Sequence, residues 1–248
     1  MQRPVVGIIQ ARMGSVRFPG KVLKPILGYP LLQVLLERVR TAKSIDLWVV
    51  ATSDMPEDDA IEALVNRMNV ACFRGSEKDV LDRYYQAAKR YEAQIVGRLT
   101  ADNPLVECAF VDWVAGEYAA KSSTCDFAYT SHHGLPLGMS MEIFPMQLLE
   151  RLWHEDSDIA SREHVTTMLY NEPQQYHGLA LQKSLDYAGM RWTVDEIEDY
   201  QFICKLFESI GQVQFSWEEA AALLKAHPAW SEINRHVRQR GRVVLPES

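Results

Sequence analysis

Long apolar runs are missing from this chain: no stretch approaches the ~18 consecutive residues that a membrane-spanning helix needs, so no membrane partner is expected. The opening Met-Gln-Arg-Pro-Val-Val-Gly-Ile-Ile-Gln is too short in apolar residues for a signal peptide and predicts a strand. Cysteine is scarce. Cys72, Cys108, Cys125 and Cys204 stand far apart, which excludes a zinc knuckle and predicts a reduced, cytoplasmic protein. Positive charge is in deficit, with 26 Lys and Arg against 33 Asp and Glu, a net of −7. Without a basic field to hold phosphate backbones, a nucleic-acid partner is not expected. There is no internal repeat and no low-complexity linker. What remains is a chain of 248 residues, 47% hydrophobic and 24% charged, large enough to fold around a core without disulfide or metal.

The first half alternates short buried-strand patterns with helical ones. Strands are predicted over 5–10, 46–52, 70–73 and 94–100, and helices over 31–42, 57–68, 79–91 and 107–121. Such alternation predicts an α/β fold: a mostly parallel sheet flanked by helices, with the ligand crevice at the carboxyl ends of the strands. After Asp126 the pattern changes. Strands are expected over 139–145, 179–184 and 190–194, and helices over 146–155, 162–171, 196–210, 217–226 and 229–238. Arg235, Arg238, Arg240 and Arg242 predict a solvated helix face with a frayed end.

The loop after the first strand carries the most information. In Gln10-Ala11-Arg12-Met13-Gly14-Ser15-Val16-Arg17-Phe18-Pro19-Gly20-Lys21, three cations and two glycines leave a strand's carboxyl end. Glycines let backbone N–H groups approach a phosphate, and Arg and Lys neutralise it. Five residues separate Gly14 from Gly20, and Val22 follows Lys21 where a P-loop has a magnesium-binding hydroxyl. A Walker-type NTPase is therefore disfavoured, and a Gly-x-Gly-x-x-Gly dinucleotide motif is absent.

This opening resembles the signature of the cytidylyltransferases that activate acidic sugars such as sialic acids and 3-deoxy-manno-octulosonate. Within that group it is most similar to the spore-coat-polysaccharide-type proteins. The family commonly has leucine where Phe18 stands. The resemblance continues at Phe73-Arg-Gly-Ser-Glu-Lys-Asp-Val-Leu-Asp-Arg-Tyr-Tyr85, Arg98-Leu-Thr-Ala-Asp-Asn-Pro-Leu-Val106, Met141-Glu-Ile-Phe144, Arg162-Glu-His-Val165 and Arg191-Trp-Thr-Val-Asp195.

The resemblance implies a single nucleotide-diphospho-sugar transferase domain over 1–248, Rossmann-like, with a β-ribbon and helical insertion around 134–178 that serves a homodimer. It implies transfer of CMP from CTP to an acidic sugar, with Mg2+ as cofactor. Arg12, Arg17 and Lys21 would face phosphates, with Ala11, Gly14 and Ser15 beside them. Arg74 and Gly75 would lie near base and ribose, Glu142 and Arg162 near the sugar. Asp102 and Asp195 would bind magnesium, and Arg12, Lys21 and Asp102 would be the catalytic set. Alternatives stand beside several of these. Asp102 also fits an Asx turn or helix cap, and Asp195 a helix cap. Arg74 fits a plain turn, Glu142 a solvent-facing ribbon position, and His164 a structural one. His132 and His133 read as loop residues. The chain has Glu196-Ile197-Glu198-Asp199 where the family often has Thr-Pro-Glu-Asp. Another nucleotide, a non-acidic sugar, or a non-catalytic nucleotide-binding role would share most of these residues.

Overall fold

The computed structural model describes residues 4–239, so Arg240 and Arg242 lie outside the described residues. In Val5–Gln10 (β1), Val6 and Ile8 enter the core on one side and Ile9 on the other, so both faces of the strand must be covered. A hairpin of Pro25–Ile26 (β2) and Tyr29–Pro30 (β3) turns at Leu27 and Gly28, both at positive φ, and leads into Leu31–Val39 (α1). Then come Leu47–Ser53 (β4), Asp59–Arg67 (α2), Ala71–Gly75 (β5), Val80–Arg90 (α3), Ile95–Thr100 (β6) and Cys108–Lys121 (α4). The second half contains Phe127–Thr130 (β7), Glu142–Pro145 (β8), Met146–Glu155 (α5), Ile159–Glu163 (α6), Thr167–Asn171 (α7), Gly178–Leu181 (β9), Ile197–Ile210 (α8) and Trp217–Ala226 (α9).

Among the described residues, seven strands form one sheet in the order β5-β4-β1-β6-β8-β7-β9. β1 pairs in parallel with β4 and β6, β4 with β5, and β7 with β9, while β8 runs antiparallel to both neighbours. Helices α1, α4, α8 and α9 cover one face of the sheet, and α3 and α5 the other. The expected α/β class and its mostly parallel sheet are found. Among the described residues, no helix is long and apolar enough to cross a membrane.

Four expectations need correction. The segment 139–145 does not stand apart as a ribbon: β8 sits inside the main sheet, and α5 packs on α3 through the Tyr85–Trp153 ring stack at 4.4 Å. Residues 190–194 form no strand. Arg191 bridges only Leu137, and Val194 N donates to Asp102 O at 2.8 Å, so this strap crosses the loop after β6. Gly138 permits the crossing, since a Cβ at its φ of 108° would lie 2.5 Å from Thr193 N. The helix expected over 162–171 breaks where buried Val165 takes a positive φ. The helix expected over 229–238 is a 3-10 helix over Pro228–Ile233.

Candidate active site

The loop leaving β1 is pinned from beneath by Asp58. One carboxylate oxygen accepts from Met13 N (2.7 Å), the other from Thr52 Oγ1 (3.0 Å), Ser53 N (3.0 Å) and Ser53 Oγ (2.5 Å). In the sequence Asp58 belongs to a run of acids fit for a solvated helix start, yet it is buried. The inward pull leaves Pro56–Asp58 as a 3-10 turn ahead of α2. Asp58→Ala orphans these buried donors, so it is expected to lower stability by about 2–4 kcal/mol in denaturant unfolding. An unchanged midpoint would show that the loop has other anchors.

Met13 O in turn accepts from Ser15 N and Gly20 N, both at 2.9 Å, and Gly20 sits at φ 69°. That left-handed turn aims Lys21, first residue of the 3-10 helix Lys21–Leu23, down into the protein. The Lys21 ammonium donates to Asp102 Oδ2 (2.9 Å), Asp195 Oδ1 (3.0 Å) and Val194 O (2.8 Å). Burial by itself lowers the Lys21 pKa, but Asp102 and Asp195 outweigh it and hold the group above its ordinary value. For Asp102 burial favours the neutral acid, and Lys21 with the Thr100 hydroxyl overrules it, holding the carboxyl below its usual range.

Asp195 sits in a wider cationic web. Its Oδ1 also meets Arg17 at 3.0 Å, and its Oδ2 accepts from Arg191 Nη2 at 3.2 Å. Arg191 is oriented by fully buried Asp199, which also accepts from the Asp195 and Glu196 N–H groups and from Asn234. Neither aspartate is a helix cap. Glu107 precedes α4, and Glu196 caps α8 in a capping box with Asp199.

These groups line a cavity of about 430 Å³ at the carboxyl ends of β1 and β6. Ala11, Arg12, Ser15, Arg17, Lys21, Asp102 and Asp195 all border it, as do Arg83 and Arg98. Arg12 pairs with Glu163 at 3.0 Å. Five cationic side chains thus gather around one concave site in an acidic protein, four of them beside carboxylates.

Residues 6–233 match a family described as cytidylyltransferase. The chain belongs to this family. It is 34% identical to the spore coat polysaccharide biosynthesis protein SpsF of Bacillus subtilis over 232 residues, 90% of this chain and 95% of that one. An uncharacterized protein of Methanocaldococcus jannaschii is 37% identical over 238 residues, covering 95% of this chain and 96% of its own. The structure of a cytidylyltransferase from Leptospira borgpetersenii superposes with a TM-score of 0.89 at 29% identity, over 97% of this chain and 100% of that one. CMP:2-keto-3-deoxy-manno-octonic acid synthetase complexed with CTP shares the fold, with a TM-score of 0.65 at 16% identity over 83% of this chain and 99% of that one. The protein is thus a nucleotidyltransferase of the cytidylyltransferase family.

Within this cytidylyltransferase, several expected site residues lie away from the cavity lining. Arg74 donates to Asp59 (2.5 Å), Glu62 (2.9 Å) and the Ser53 and Met55 carbonyls, which turn it toward α2. Gly75 pairs with Ser53 in the sheet and packs against the Arg83 stem. Gly14 is exposed and does not border the cavity. Arg162 is consumed by Asp79 (2.9 Å) and by the Trp153 and Asp156 carbonyls, tying α6 to the start of α3. Glu142 is buried rather than solvent-facing. It accepts from Arg98 (2.6 Å), Thr166 and Tyr170, and so holds Arg98 from behind at the cavity wall. Burial, then the Glu142 charge, drives the Tyr170 hydroxyl well above its usual pKa. Sequence reasoning passed over Arg83, Arg98 and Glu163. All three lie inside quoted family segments or next to Arg162, but only the fold shows which side chains face inward.

Proposed function

We propose that this cytidylyltransferase transfers CMP from CTP to an acidic sugar, sialic-acid-like or octulosonate-like, and releases pyrophosphate in the cytoplasm. The observation that carries the reading is the Lys21 ammonium held between Asp102 and Asp195, on the floor of a cavity ringed by arginines. In the reaction the sugar oxygen–phosphorus bond forms, the bond between the α and β phosphates breaks, and the hydroxyl gives up its proton. Catalysis of such a step rests on positioning and charge neutralisation. Arg12, Arg17 and Lys21 supply the positive charge, and the Gly20 turn sets where Lys21 points. Support for the acidic sugar comes from partial relatives: a 3-deoxy-manno-octulosonate cytidylyltransferase of Geobacter metallireducens is 33% identical over 119 residues, 48% of this chain and 46% of that one.

Magnesium fits the donor set in part. Two carboxylates within reach of one ammonium suit a hard divalent cation that completes its shell with phosphate oxygens and water. Among the described residues, no cluster of three His, Cys, Asp or Glu could hold a metal by itself. Such an ion would compete with Lys21 for the same carboxylates. Once bound, such an ion would stabilise charge developing on the reacting phosphates. The homodimer belongs to the same reading, although α5 and β8, expected in its interface, pack into the core.

Pyrophosphate release tests the reading directly, with CTP, UTP, GTP and ATP against sialic, legionaminic, pseudaminic and octulosonic acids and neutral hexoses. The expected result is release with CTP and at least one acidic sugar, dependent on magnesium. Release with another nucleotide or only with neutral sugars would overturn it.

A further inference from the structure

Arg83 lies on the first turn of α3, is 1% exposed, and yet borders the cavity. Its Nη1 donates to Ser76 O at 2.8 Å, while its Nε is buried without a hydrogen-bond partner. The other cationic residues of the cavity each have a carboxylate: Arg12 has Glu163, Arg17 has Asp195, Lys21 has Asp102 and Asp195, and Arg98 has Glu142. Among the described residues, no carboxylate stands within 4.0 Å of the Arg83 guanidinium. Burial depresses its pKa, and the Arg12 charge adds to that.

A buried charge without a counter-ion is costly, so its presence calls for a ligand or a structural explanation. The single bond to Ser76 O accounts for one donor edge and no charge. The position itself is built. Asp79 caps α3 through Asp82 N at 2.9 Å and accepts from Arg83 N at 3.1 Å, and a Cβ at Gly75 would stand 3.3 Å from Arg83 Cγ. The stem is thus wedged, and the planar fork matches the paired oxygens of phosphate or carboxylate. Arg12, Arg17 and Lys21 each already have a carboxylate beside their charge, whereas Arg83 has none.

We propose that Arg83 is an oxyanion-binding residue of the substrate cavity, its guanidinium, which no carboxylate neutralises, taking an oxygen of the nucleotide polyphosphate or of the sugar carboxylate. This rests on the reading that the cavity takes a nucleotide and an acidic sugar. The test is calorimetric titration of the wild-type full chain, Arg83→Met and Arg83→Gln with inorganic pyrophosphate, CTP, cytidine and sialic acid. Arg151→Gln, which removes a surface cation paired with Glu155, serves as the charge control. Arg83→Gln keeps a donor for Ser76 O and carries the reading if Arg83→Met does not fold.

Loss of a charge-assisted contact is expected to weaken an oxyanion-bearing probe about 10- to 100-fold, with Arg151→Gln matching wild type. Weakening of pyrophosphate and CTP assigns Arg83 to the polyphosphate; weakening of sialic acid alone assigns it to the sugar. Wild-type affinity for every oxyanion probe in the variants overturns the inference, as does a loss for cytidine equal to that for CTP. A wild-type protein that binds pyrophosphate but not CTP, with pyrophosphate lost in the variants, leaves the inference standing and removes the functional reading. A wild-type protein that binds no oxyanion probe removes both.

Discussion

Asp102→Asn and Asp195→Asn are each expected to lower turnover by about 100-fold or more, by analogy with removal of a strong electrostatic stabiliser. The two residues are far apart in sequence, one in the loop after β6 and the other just before α8. The fold brings both within 3.0 Å of the same ammonium. Taken alone, two converging carboxylates repel, and losing one charge would relieve strain. Lys21 reverses that expectation. With its cation already between them, each Asn variant takes charge compensation from a lysine that is only 8% exposed. Stability is therefore expected to fall by about 1–3 kcal/mol. Turnover and melting temperature on the same variants separate the possibilities. A drop in stability with normal turnover would mean that the carboxylates serve only the ion pair, and the catalytic assignment would fail.

Lys21→Met is expected to be the most damaging single substitution. On the proposed reading it removes a charge that meets a phosphate, which should weaken CTP binding roughly 10- to 150-fold. It also leaves Asp102 facing Asp195 without the cation between them. Asp195 keeps Arg17 and Arg191, so the larger effect falls on Asp102. The expected loss is about 2–4 kcal/mol, or roughly 5–15 °C in melting temperature. If magnesium takes the same pair of carboxylates as the ammonium, the metal should raise the melting temperature of the variant more than that of wild type. Scanning calorimetry with and without magnesium reads this, alongside CTP titration. An equal response to the metal in both proteins would show that the two carboxylates do not form its site.

Much of this was legible from local pattern. β1 occupies the predicted 5–10, α5 the predicted 146–155 and α9 the predicted 217–226, because buried-strand runs and amphipathic helices declare themselves by periodicity. The cationic glycine loop was legible too, since a cluster of Arg, Lys and Gly after a strand is rare enough to stand out. Local pattern says little about direction. Arg74, inside β5, and Arg83, beyond it, share one quoted segment, and the resemblance put Arg74 near the nucleotide with a plain turn as the alternative. Acids on α2 draw Arg74 away, while the first turn of α3 points Arg83 into the cavity.

The amino-acid sequence by itself determined the α/β class, the succession of elements in the first half, and the presence of a cationic, glycine-containing loop after β1. Those properties follow from the order of apolar and special residues along a short stretch. Only the tertiary structure decided that β8 joins the main sheet, that Asp58 turns inward to anchor the loop, and that Lys21 lies between Asp102 and Asp195. It also decided that Glu142 backs Arg98 and that Arg83 carries an unpaired edge. All but the last are meetings of residues distant in sequence, and a side chain's charge state and partner depend on what burial and folding place against it.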